Sequence, residues 1–263
     1  MIEFNRLYCG DCFTIMEQMC NDGIKADAVI TDLPYGTTPI HWDSVLPVEQ
    51  MWSHIHSVVN DDTPILLFGQ EPFSSFLRTS NIKEYRYDWY WQKERLTNVF
   101  QIKRRPGKVI ENIMVFYKKQ CKYNPQKTIH DGKPVTNKIG ETARFSLTQD
   151  ANNSMRPTEY IDDGTRFPLQ LLRFNRVCRH GKNFHPTEKP VDLMRYLVRT
   201  YTNENDLVLD FTMGSGSTCV ACVLENRRFI GIDNNQEYVD IAQKRIKEND
   251  TGRKRIIDKR FMQ

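Results

Sequence analysis

An α/β fold built on an open sheet is predicted for this 263-residue chain by three observations. Short apolar runs such as "AVIT" (28–31), "ILLF" (65–68) and "LVLDF" (207–211) lack polar alternation, as strands covered on both faces do. Stretches with helical spacing stand between them. Near the C-terminus, a strand over 206–211, a glycine turn, a helix and a strand ending at Asp233 make one βαβ unit.

Taken in order, "NRLY" (5–8) reads as a strand and "CFTIMEQM" (12–19) as a helix with Phe13, Met16 and Met19 inward. "ADAVIT" (26–31) is the next strand, stopped by Pro34 and Gly36. A helix is expected over 48–59, a strand over 63–69, and a short helix over 71–79 with Pro72 in its first turn. The aromatic and β-branched runs "YRYDWYWQK" (85–93) and "ENIMVFYKK" (111–119) read as strands. From Lys122 to Phe184 periodicity fails, and Asn, Thr, Asp, Gly and Pro are scattered. So long a segment is expected to be an insert with its own role, disorder being the alternative. Phe145, Tyr160, Phe167, Leu169, Leu171, Leu172 and Phe174 are its candidate core. Regular structure resumes with a helix over 189–202, the strand and turn of 206–218, a helix over 219–226, a strand over 227–233 and an amphipathic helix over 236–248.

No run of 18 apolar residues occurs, and the first ten residues lack a basic segment followed by an apolar one. Neither a membrane span nor a secretory signal is therefore expected. Seven cysteines, an odd number, then suggest reduced thiols in a cytoplasm. The pairs "CGDC" (9–12) and "CVAC" (219–222) have zinc-ligand spacing. One flanks a turn and the other opens a small-residue helix, so no metal is expected. The net charge is +4, yet residues 93–138 hold twelve Lys and Arg against three acids. Residues 166–182 add five basic residues and no acid. A basic middle of this kind fits a phosphate backbone, or simply a solvated surface.

Asp32 follows its strand at the point where open α/β sheets bind ligands, although an ordinary strand exit would place it there equally well. In the C-terminal unit, Gly214 and Gly216 let the turn pass close to a ligand, and Asp233 can hold ribose hydroxyls. Cys219 stands where the dinucleotide fingerprint has its third glycine, and no lysine follows the glycines as in a phosphate-binding loop. Asp210 suits a ligand bearing an ammonium group, such as the methionine end of S-adenosylmethionine, better than a pyrophosphate. Plain helix–strand packing is the structural alternative.

"DLPYGTT" (32–38) and "DFTMGSGST" (210–218) together resemble the amino-directed DNA methyltransferases, which act on N6 of adenine or N4 of cytosine. With the catalytic motif first and the cofactor motif far downstream, the order resembles their β permutation group. "LYCGDCF" is similar to that group's Gly-Asp turn, and "VIENIMVFYKK" to its His-Glu-x-Ile strand with Ile110 in place of the histidine. "FHPTEKP" is similar to its His-Pro-Thr-x-Lys-Pro motif. The resemblance covers residues 5–119 and 185–246. It implies a Rossmann-like S-adenosylmethionine-dependent methyltransferase fold, circularly permuted, with an inserted target recognition region. Residues 1–122 would then be the catalytic half, 123–184 the target recognition insert and 185–263 the cofactor-binding half.

By the same resemblance Asp32, Leu33, Pro34 and Tyr35 carry catalysis. Asp11, His185, Thr187, Lys189, Asp210, Phe211, Gly214, Gly216, Thr218 and Asp233 hold S-adenosylmethionine. Leu33 departs from the motif's first proline, but that position acts through its carbonyl, which leucine also has, with a less rigid φ. The Asp32 carboxylate and the Leu33 carbonyl would hold both amine hydrogens, turning the nitrogen lone pair toward the methyl sulfonium in the transition state. Tyr35 would stack on a base swung out of the duplex, and Pro34 would fix the turn.

The expected partner is double-stranded DNA, its phosphates gripped by the basic middle. Arg144, Arg156 and Gln170 are candidates for base readout. The resemblance also admits a homodimer and a cognate restriction endonuclease, in a bacterial or phage setting. A leading Asp favours adenine N6. Cytosine N4 is the nearest alternative, then an RNA methyltransferase, which the motif order disfavours, and a catalytically silent DNA-binding module.

Overall fold

A computed structural model describes residues 1–35, 46–129, 137–138, 159–160, 164–176 and 188–260; of 137–138, 159–160 and 251–260 only the backbone is described. The first strand, β1 (Arg6–Cys9), leads into α1 (Cys12–Asn21), whose start is capped by the Asp11 carboxylate accepting from Thr14 N at 2.9 Å. Next come β2 (Ala28–Thr31), α2 (Val48–Ser57), β3 (Ile65–Gly69), α3 (Phe73–Ser80), β4 (Tyr85–Gln92) and β5 (Ile110–Phe116). Four two-residue strands follow: β6 (Thr128–Ile129), β7 (Asn137–Lys138), β8 (Glu159–Tyr160) and β9 (Thr165–Arg166). The chain ends with β10 (Leu171–Arg173), α4 (Val191–Tyr201), β11 (Leu207–Asp210), α5 (Ser217–Leu224), β12 (Arg228–Asp233) and α6 (Gln236–Arg260).

The main sheet has the order β1-β12-β11-β2-β3-β5-β4-β10. β5 lies antiparallel to β3 and β4, and every other neighbouring pair is parallel. The apolar runs owe their lack of alternation to this arrangement. Ile65 and Leu67 face a core shared with α1, α2 and α3, while Leu66 and Phe68 face a second core shared with α4, α5 and α6. Burying both faces suppresses the period-two signal.

β11 pairs with β2 through Val208↔Ala28 and Leu209↔Val29, so two strands far apart in the chain are neighbours. From β11 the chain crosses to β12 on one side, while β2 lies on the other, a switch point of the kind where α/β sheets bind ligands.

Two compact units emerge: residues 1–124 with 170–263, and residues 125–169. In the smaller unit β6 pairs with β9 and β7 with β8, both antiparallel, and the Lys127 ammonium lies 4.7 Å from the Phe167 ring centre. This unit is narrower than the expected insert of 123–184. Leu171–Arg173 instead add a parallel strand beside Tyr90–Gln92, with Leu172 buried and Phe174 packed against the second main core. Phe167 and Leu169, expected to anchor the insert, are largely exposed. At the other end, α6 runs to Arg260 and not to 248. Among the described residues no helix is long and apolar enough to cross a membrane.

Candidate active site

The C-terminal ends of β1, β2, β11 and β12 lie along one edge of the sheet, because these strands run parallel. A cavity of about 200 Å³ opens there. Its wall includes Asp11, Asp32, Leu33, Pro34, Tyr35, Lys189, Asp210, Phe211, Gly214, Thr218 and Asp233.

One half of the wall is built from the β11 exit. Asp210 ends β11 and is nearly inaccessible, accepting from Thr31 Oγ1 at 2.8 Å and from the Thr218 hydroxyl. Burial pushes its pKa up to about 7, and its hydroxyl and backbone donors only partly offset that. No lysine or arginine pairs with it among the described residues. Asp233, at the end of β12, is pinned by two backbone donors: Gly214 N to Oδ2 and Asn235 N to Oδ1, both at 2.9 Å. Burial raises its pKa as well, against those donors.

Gly216 stands outside the wall. Its φ is +75°, and a Cβ there would lie 2.6 Å from the Ala242 Cβ, so this glycine lets α5 begin tight against α6. Arg245 of α6 braces the turn, donating to Ser215 O at 2.6 Å and pairing with Glu188 at 2.6 Å.

The other half follows β2. Asp32 sits just beyond the strand, its carbonyl accepting from Thr212 Oγ1 at 3.0 Å. Thr212 in turn lies 2.6 Å from Thr31 Oγ1, so the two strand exits are stitched together by hydroxyls. Tyr35 Oη donates to Asp32 Oδ1 at 2.6 Å and lies 3.2 Å from Glu111 Oε1. Lys189 Nζ pairs with Asp32 Oδ2 and, at 2.9 Å, with Glu111 Oε1. Lys93 Nζ closes the cluster on Glu111 Oε2 at 2.5 Å. Two carboxylates and two ammoniums thus offset one another in a site from which water is largely excluded.

Burial opposes charge on Asp32, Glu111 and Lys189, and the partners decide the outcome. Lys189 and Lys93 hold Glu111 down to about 2. Asp32 and Glu111 keep the Lys189 pKa raised despite its burial. For Asp32 burial prevails over Lys189, with Glu111 adding repulsion, so its pKa is raised.

The structure therefore gathers eleven of the expected site residues around one cavity and assigns Gly216 to packing. His185 and Thr187 lie outside the described residues, as do Arg144 and Arg156. Gln170 lies beside β4, its carbonyl accepting from Tyr90 N at 2.8 Å. Glu111, Lys93, Glu188 and Arg245 were not anticipated. The one signal for Glu111 was the His-Glu-x-Ile-like strand, in which it is the acid. Among the described residues no cluster of His, Cys, Asp and Glu could hold a metal ion, and Cys219 and Cys222 are buried in α5.

Comparison with known proteins gives a consistent family. The family model for N6/N4 enzymes, described as DNA methylase, matches residues 26–244. The Type II methyltransferase M1.MboII of Moraxella bovis is 24% identical over 252 residues, covering 92% of this chain and 96% of its own. The solved M1.HpyAVI–SAM complex is 26% identical with a TM-score of 0.61, covering 92% of this chain and 98% of its own. The cytosine-N4-specific PvuII DNA methyltransferase shares the fold at a TM-score of 0.61 and 15% identity, over 91% of this chain and 85% of its own.

Proposed function

The chain belongs to the N6/N4 DNA methylase family, and on that premise we propose that it methylates N6 of an adenine swung out of double-stranded DNA. It is a DNA methyltransferase of Rossmann-like fold, and S-adenosylmethionine is its cofactor. The choice of base, the flipping step and the roles of single residues are the proposal.

The cavity has the chemistry for that cofactor. Asp210 is a buried carboxylate without a cationic partner among the described residues, which suits a positively charged ligand end. Asp233, oriented by Gly214 N and Asn235 N, is placed to accept from ribose hydroxyls. When bound, S-adenosylmethionine supplies a methyl group on a positively charged sulfur.

Asp32 then acts on the target amine. Its Oδ2 is engaged by the Lys189 ammonium, a hydrogen-bond donor like the amine. Because Glu111 Oε1 also holds Lys189 at 2.9 Å, the ammonium can leave Asp32 without becoming an unpaired buried charge. The freed carboxylate oxygen accepts one amine hydrogen and the Leu33 carbonyl the other, raising the nucleophilicity of the nitrogen. The raised pKa of Asp32 suits it to receive the proton that the methylated nitrogen sheds. Tyr35, fixed by Asp32 and set against Phe73 at 5.4 Å between ring centres, offers a face for the base.

The single observation that carries this reading is the junction of the two strand exits, where Thr31 bonds Asp210 and Thr212 bonds the Asp32 carbonyl. The acid leading the motif supports adenine over cytosine. The Type II methyltransferase relatives support a cytoplasmic restriction–modification setting, with an endonuclease for the same site.

The test is methyl transfer from S-adenosylmethionine to duplex genomic DNA, then digestion to nucleosides and mass spectrometry. N6-methyladenine is expected. N4-methylcytosine would overturn the base, and an unmodified product with cofactor bound would overturn the activity.

A further inference from the structure

Between β4 and β5 the chain makes an excursion over residues 93–109. Its stem is braced: Lys93 N donates to Val109 O at 2.8 Å and Thr97 N to Lys108 O at 2.9 Å. Asn98 accepts from Lys108 N at 2.6 Å and donates to Pro106 O at 2.9 Å. One 3₁₀ turn, Val99–Gln101, forms the tip. What this braced loop holds out is apolar. Phe100 is 102% exposed, and Val99 and Ile102 are 59% and 50% exposed. Three large apolar side chains clustered on a hydrogen-bonded projection mark a surface that a partner covers.

The charge around the tip identifies the partner. Arg95, Lys103 and Arg104 are exposed and make no ion pair among the described residues, and Arg105 is bonded only sideways to Gln101. Farther along, Lys118 and Lys119 share Asp61, and Lys122 pairs with Asp206. Among the described residues the tip thus carries positive charge without an acid beside it.

Position completes the argument. β4 and β2 run in the same sense, so the loop leaves the sheet at the edge that carries Asp32. At its root, Lys93 and Glu111 form the ion pair that continues through Lys189 to Asp32.

We propose that this tip is a DNA wedge: the Phe100 ring, with Val99 and Ile102, enters the base stack of the duplex beside the target base. Arg95, Lys103 and Arg104 neutralise the flanking phosphates. Extruding a base uncovers the faces of its neighbours, and an aromatic ring covers them. The wedge rests on duplex DNA being the substrate.

The test compares wild type with Phe100→Ala, Phe100→Trp and Phe100→Lys in methyl transfer to duplex genomic DNA. Phe100→Ala is expected to lose about tenfold in kcat/KM, while Phe100→Trp retains the rate. Phe100→Lys is expected to fall as far as alanine although it adds a positive charge. The salt dependence of DNA binding by Phe100→Ala and cofactor binding by every variant should be unchanged. Equal rates for wild type and Phe100→Ala overturn the wedge. So does a gain in Phe100→Lys, which would make the tip a phosphate grip. So does a dimer-to-monomer shift of Phe100→Ala in sedimentation, which would make it a contact between copies. A wild type that methylates no DNA overturns the substrate reading itself, and the wedge with it.

Discussion

Lys189 and Glu111 form a buried ion pair at 2.9 Å, and the same lysine reaches Asp32. A lysine shared between two carboxylates can leave one while the other keeps it charged. In the proposed mechanism Glu111 is thus a positioning residue for Lys189, and through it for the Asp32 oxygen that would accept from the amine.

Removing the charge of Glu111 should expose this role. Glu111→Gln leaves Lys93 without a compensating carboxylate and Lys189 with Asp32 alone, and breaking a buried pair of this kind costs about 3–5 kcal/mol. Thermal unfolding should show a clear loss. The held-down pKa of Glu111, about 2, stabilises the fold above pH 4.5, and that stability disappears as pH falls toward 2. The variant should therefore have a flatter acid limb, and an unchanged melting point would exclude the role.

Asp32→Ala removes the proposed acceptor for the amine but leaves Lys189 its second partner, Glu111. Methyl transfer should fall by at least about a hundredfold. Cofactor affinity, measured by calorimetry, should stay within a few-fold. Substantial residual turnover would refute the mechanism.

A pH dependence follows from Asp210. Burial raises its pKa to about 7, so below that value the empty site holds a neutral acid. A cationic ligand binds the ionised form, so S-adenosylmethionine affinity should rise with pH through 7 and fall by roughly tenfold from pH 7.5 to 6. Asp210→Asn should bind more weakly and lose that dependence. A flat profile in the wild type would show that Asp210 is ionised throughout.

Gly216→Ala tests packing at the turn. With φ at +75° and Ala242 2.6 Å from the new Cβ, the substitution is strained twice. The left-handed conformation alone costs about 1–2 kcal/mol, which should appear as a drop of several degrees in melting temperature. Adding Ala242→Gly should recover the steric part and not the conformational one. Full recovery would mean that the backbone conformation carries no cost.

The strands were legible in the residues, for a physical reason. A strand covered by helices on both faces is apolar along its buried length, and Ala28–Ile30, Ile65–Phe68 and Leu207–Leu209 are. The acids at strand ends, Asp32, Asp210 and Asp233, were legible because a ligand at the edge of such a sheet needs polar groups where the apolar run stops. That Leu171–Arg173 join the sheet as an edge strand was not legible, because it depends on the strand beside them and not on their own three residues.

Only tertiary structure decided which partners those acids have. Glu111 is one acid at the start of a strand, and Lys93 and Lys189 are two of many lysines. Nothing in local spacing distinguishes them from solvated charges. They become a network because β5 is inserted antiparallel beside β3 and the chain before α4 returns to the end of β2, burying the three charges together. Local pattern reports which face of an element is apolar; the crossovers between elements determine which polar groups are left in that shared interior, and so which must pair.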